Sequence, residues 1–98
     1  MNINAQNNNG LCRLKIEDEM TISTAAGLKK ALLDNLAGCR ELEIDLSHVN
    51  EMDTAGFQVL YLARREADIS GKAFRIVSPG PKILSVLQLY NMKGFFGI

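Results

Sequence analysis

A chain of 98 residues, 47% of them hydrophobic, is sized for one compact domain and can bury about 60–70% of its unfolded surface without staples. Its 11 basic and 11 acidic side chains cancel, and no basic stripe is interleaved with aromatics. That balance argues against a nucleic-acid partner, whose phosphates must be neutralised.

The run Asn7-Asn8-Asn9-Gly10 is a turn signal. It separates a short strand near Asn2–Gln6 from a better one, Leu11–Glu17, and the two predict an N-terminal hairpin. Ser23 or Thr21 can cap a helix running to about Leu36. Its apolar positions Ala25, Leu28, Leu32 and Leu36 form one stripe, and Gly38 stops it. In the next segment Leu42, Ile44 and Leu46 alternate with Glu41, Glu43 and Asp45, the period of a strand with one buried face. A second helix is expected from Asp53/Thr54 to about Ile69, ended by Gly71. Phe74, Ile76 and Val77 predict another strand. Pro79-Gly80-Pro81 breaks it, with Pro81 suited to the first turn of a third helix. Ile83, Leu84, Leu87 and Leu89 would be that helix's buried side. Phe95, Phe96 and Ile98 suggest a last strand. The order β-β-α-β-α-β-α-β implies a largely parallel sheet with crossover helices. Residues 1–98 read as one domain.

The most informative run is Met52-Asp53-Thr54-Ala55-Gly56-Phe57, where period 2 gives way to period 3.6. Asp53 and Thr54 stand at a helix N-terminus, where either side chain can accept from first-turn amides that lack a partner in the helix. The same place favours negative charge. A threonine there could carry a phosphoryl group, against the opposition of the adjacent Asp53. Asp and Thr are also ordinary capping residues, and Gly56 could serve only to let the helix approach its sheet.

Elsewhere the chain offers little chemistry. His48 is the only histidine, with no cysteine or second histidine nearby in sequence, and reads as a solvated loop residue. Asp45 reads as a strand end and Glu51 as loop surface. No catalytic residue, metal set or cofactor cradle is visible. Cys12 and Cys39 lack metal-ligand or disulfide-framework spacing, and free thiols fit a reducing cytoplasm. The polar Met1–Gln6 start has no signal region, and no apolar run approaches the ~20 residues of a membrane span. The expected setting is therefore cytoplasmic, with no direct membrane insertion.

The Asp53-Thr54-Ala55-Gly56 run, with the elements around it, resembles the signature of the STAS domain family, named for sulfate transporters and anti-sigma factor antagonists. The family pattern is Asp-Ser-(Ser/Thr)-Gly followed by a hydrophobic residue and a helix. Here Thr54 takes the Ser place, and Ala55 replaces the second hydroxyl residue. Asp18-Glu19-Met20-Thr21 sits where many members have Gly-Glu-Leu-Asp. Leu11–Ile16, Gly71–Val77 and the segments Pro81–Leu89 and Met92–Ile98 also fit the family's order of elements. Many members carry a further C-terminal helix, so this chain resembles one that stops early.

The resemblance implies a single α/β STAS-like domain: a mixed, mostly parallel sheet with helices packed mainly on one side. It implies a non-enzymatic interaction switch. Thr54 is the phosphoacceptor candidate, and Asp53, Thr54, Ala55, Gly56, Thr21 and Ser23 form the partner-binding set. The family's partners include a serine/threonine kinase that sequesters a sigma factor and a chemotaxis-type kinase. A third kind is the ATPase of a phospholipid-transport complex, in which the chain would be a structural subunit. Met20-Thr21-Ile22 and the Asp-Thr-Ala-Gly run look closest to the chemotaxis and phospholipid-transport flavours. Some members bind nucleotides or other small molecules, although no phosphate loop is present here.

Overall fold

The computed structural model describes residues 2–97. Two antiparallel strands, β1 (Ile3–Asn8) and β2 (Leu11–Ile16), open the chain. The helix α1 (Ala25–Ala37) carries it to β3 (Glu41–Asp45), α2 (Thr54–Ile69) to β4 (Ala73–Val77), and α3 (Pro81–Leu89) follows. The sheet order is β1-β2-β3-β4, with β2, β3 and β4 mutually parallel. This is the expected mixed, mostly parallel α/β sheet.

The alternation in the sequence decides which face is covered. Cys12, Leu14, Ile16, Leu42, Ile44, Phe74 and Ile76 are buried and share one core with Leu28, Leu32 and Leu36 of α1, Phe57 and Leu60 of α2, and Ile83 and Leu87 of α3. All three helices therefore cover one face. The other face carries Arg13, Lys15, Glu43, Asp45 and Arg75, side chains that alternation points away from the core. There one oxygen of Glu43 pairs with Arg75 on one neighbouring strand at 2.7 Å and with Arg13 on the other at 3.4 Å.

Several boundaries move from their expected places. The hairpin turn uses only Asn9 and Gly10, whose φ angles of 54° and 91° suit a two-residue turn that matches strand twist. The strand β1 consequently runs on to Asn8, paired with Leu11. Arg40 donates from Nη2 to the Asn9 carbonyl at 2.6 Å, and its own amide donates to the Gly10 carbonyl, so the turn is tied to the start of β3. Neither Ser23 nor Thr21 caps α1. The capping position is Thr24, whose hydroxyl instead donates to the Glu19 carbonyl and accepts from the Thr21 amide, folding the loop before the helix.

Two readings at the C-terminal end are corrected. Leu89 is 80% exposed. Ile83 and Leu87, one turn apart, form the buried stripe of α3, and position 89 falls away from it. Phe95 and Phe96 form no strand; residues 93–97 are turns. Phe96 reaches the core as an aromatic plug, with its ring 6.3 Å from Phe74 and 6.4 Å from Phe57. Ile98 lies outside the described residues.

Candidate functional site

The loops that leave the C-terminal ends of β2 and β3 meet beyond the sheet edge, where open α/β sheets place their sites. A single parallel bridge joins Met20 to Met52. The Met20 amide donates to the Glu51 carbonyl at 2.9 Å, and the Asp53 amide donates to the Met20 carbonyl at 3.1 Å. Met52 is buried directly before the turn.

Asp53 caps α2. Its Oδ1 accepts from the Gly56 amide at 3.0 Å, one of the first-turn donors that the helix cannot satisfy itself. Its Oδ2 accepts from the Ile22 amide at 2.9 Å. One carboxylate thus binds two segments 31 residues apart in sequence. The Gly56 and Ile22 amides together hold the Asp53 carboxyl below the usual carboxylate range.

Gly56 is buried because the Met20 carbonyl lies against it: a Cβ at residue 56 would sit 2.0 Å from that oxygen. The glycine is needed for this close approach of backbone to backbone. Its conformation is ordinary helix.

Thr54 is the first residue of α2 and is exposed. The cap is Asp53, so the Thr54 hydroxyl is free of that duty. It lies 2.7 Å from the hydroxyl of Tyr90. Ala55 is half-buried and lines an open groove between α1 and α2 with Ile22, Ala25, Val59 and Leu62, with Lys29 at its side. Thr21 is half-buried in the loop that Asp53 holds, and Ser23 is exposed in that loop. The structure therefore brings together all six residues singled out from the sequence. Their roles differ: Asp53 and Gly56 build the frame, while Thr54, Ala55 and Ser23 present themselves on it.

Three participants escaped the sequence reading. The Met20 carbonyl is the surface on which Gly56 packs. Ile22, 75% exposed, sits beside Asp53 as an apolar side chain without cover from the described residues. Tyr90 arrives from the end of α3. An exposed isoleucine next to the signature could have been suspected from Met20-Thr21-Ile22; nothing in the spacing pairs residue 90 with residue 54.

His48 is exposed, with Nδ1 3.1 Å from the Ser47 hydroxyl. Asp45 ends its strand by accepting from the Ser47 amide at 2.8 Å. Among the described residues no three His, Cys, Asp or Glu side chains are grouped to hold a metal ion, and no helix is long and apolar enough to cross a membrane.

Comparisons with solved structures place the fold. The Bacillus protein SpoIIAA in its unphosphorylated form superposes with a TM-score of 0.81 at 10% identity, over 95% of this chain and 84% of that one. An anti-sigma factor antagonist of Mycobacterium paratuberculosis gives 0.87 at 22% identity, over 97% and 81%. A candidate anti-sigma factor antagonist of Thermotoga maritima gives 0.87 at 26% identity, over 94% and 80%. No curated protein matches the chain. A family model described as "Mlab, STAS domain" matches residues 3–97. The chain belongs to the STAS domain family.

Proposed function

We propose that the chain is a non-enzymatic interaction switch of the anti-sigma antagonist type. It binds a regulatory serine/threonine kinase through the surface around Thr54, and phosphorylation of Thr54 weakens that binding. The observation that carries this reading is the division of labour at the turn. Asp53 and Gly56 fix the backbone, so the exposed Thr54 hydroxyl is presented on a rigid frame without being required by it. The groove beside it is apolar, and Ile22 stands exposed at its edge, which suits a protein surface better than a small polar ligand. The relatives of known structure, anti-sigma factor antagonists, support the same class. A phosphoryl group at Thr54 would add about −1.5 to −2 charges beside Asp53 and oppose close packing.

A second reading keeps the surface and changes the partner. The same face would seat the ATPase subunit of a phospholipid-transport complex permanently. Ala55 in place of a hydroxyl residue, and a Thr54 hydroxyl already held by Tyr90, favour it.

Both readings are tested by titrating wild type, Thr54→Ala and Thr54→Glu against a regulatory serine/threonine kinase and a phospholipid-transport ATPase subunit from the same genome, with folding checked by circular dichroism. The expected result is a loss of about tenfold or more in affinity for Thr54→Glu, with Thr54→Ala within about threefold of wild type. Under the kinase reading, Thr54→Ala also takes up no phosphate. Equal affinities for all three proteins sink the switch and leave this turn as a helix start alone.

A further inference from the structure

We propose that Tyr90 is a latch that couples the Thr54 hydroxyl to the docking of the C-terminal segment, residues 90–97. This builds on the reading of Thr54 as the centre of a partner surface and names the element that its state controls.

The latch is visible as one continuous stripe on α2. Thr54, Phe57, Tyr61 and Arg64 follow one another at helical spacing along one side of the helix. Each is met by the segment after α3. The Tyr90 hydroxyl lies 2.7 Å from Thr54 Oγ1. Its ring stacks on Phe57, with centroids 4.4 Å apart and planes 16° from parallel. The chain then reverses through Asn91, whose φ of 55° lies in the left-handed region that asparagine tolerates. Phe95 stacks on Tyr61 at 5.0 Å, and the Arg64 guanidinium lies 5.7 Å from the Phe95 ring centre. The segment is thus laid along α2 from Thr54 to Arg64, with its first contact at the hydroxyl.

That first contact is the sensitive one. The inner contacts are ring on ring, and Phe96 is buried among them. The outer one is a single bond between two hydroxyls on exposed residues. A phosphoryl group on Oγ1 would bring three acceptor oxygens into the shell that the Tyr90 hydroxyl fills. A partner that takes over the Thr54 hydroxyl competes with Tyr90 for the same atom. By linkage, whatever loosens the segment presents Thr54, and whatever occupies Thr54 loosens the segment.

The test needs neither kinase nor partner, so it can fail while the binding reading stands, and the reverse. Amide hydrogen exchange is measured for wild type, Thr54→Val, Tyr90→Phe and the double variant, each removing a hydroxyl at constant shape. The reporters are the Met92, Phe96 and Gly97 amides, bonded to the carbonyls of Leu87, Met92 and Gly94. They are normalised to β3 amides in the same sample, so a general loss of stability does not count. Each single variant should speed their exchange by about two- to tenfold, and the double variant no further, because both remove one shared bond. Unchanged exchange in Thr54→Val, or a double variant equal to the product of the singles, overturns the latch.

Discussion

The starts of α2 and α3 differ in what holds them. The helix α3 begins at Gly80 with no side-chain cap, and Pro81 at its first position removes a donor that would otherwise go unmet. A Cβ at Gly80 would meet nothing within 4 Å. The helix α2 begins under a carboxylate that also holds the 20–24 loop, with a glycine pressed on a carbonyl from that loop. One start is a local solution to a local shortage of acceptors. The other is a junction between segments distant in sequence, and only there does an exposed hydroxyl gain a fixed position relative to a second surface.

The sharpest way to break this contrast is an added methyl group. Gly56→Ala should cost about 3 kcal/mol, because backbone must give way, whereas Gly80→Ala should stay within about 1 kcal/mol of wild type. Urea midpoints decide it, and equal losses would erase the distinction. Next is acid. The folded-state value of Asp53 lies below its ordinary 3.8, so the clamp's contribution is complete above that pH and is lost as pH falls through the depressed native value. Asp53→Asn should lower stability at pH 7 and flatten the acid limb below about pH 4. An unchanged acid limb would show that the carboxylate does not join the two segments.

Smaller still is Thr54→Ala. With Asp53 as the cap, it should cost only about 0.5–1 kcal/mol. A loss near that of Gly56→Ala would make Thr54 part of the frame. The opposite end of the sheet supplies the control. Cys39 is buried there, and burial, followed by the neighbouring Cys12 thiol, pushes its thiol up to about 11. At pH 8 the Cys39 thiol therefore stays protonated as well as buried, so native protein should resist iodoacetamide and label once unfolded in urea. None of the site substitutions except Gly56→Ala should change that.

The elements were legible where a single period dominates. Leu42, Ile44 and the 54–69 pattern announced a strand, a helix and the turn between them, and the candidate site was read from that turn. What stayed hidden depends on contacts across the chain. The function of Gly56 required knowing that Met20 lies above it, and the place of Tyr90 required α3 to come back beside α2. Phe95 and Phe96 have the apolarity of a strand, but they spend it on rings 5.0 Å apart at right angles, without any ladder of hydrogen bonds. Asn7 and Asn8 look like turn residues, yet on an exposed edge they sit in β1, because two residues with positive φ suffice to close the hairpin.

The pairing of Glu43 with Arg13 and Arg75 sets what the middle strand tolerates on its open face. The two arginines stand on strands either side of β3, roughly 9.5 Å apart by strand spacing, and share one carboxylate oxygen. Replacing Glu43 with a neutral residue would leave two like charges facing each other across the middle strand, and a basic residue there would make three. With both arginine side chains exposed, each pair contributes only about 0–1 kcal/mol, so a neutral residue at 43 costs little and a basic one is the least favourable choice. The uncovered face of the sheet is thus held in register by its ladder of backbone bonds, with the charges choosing only which side chains sit opposite one another.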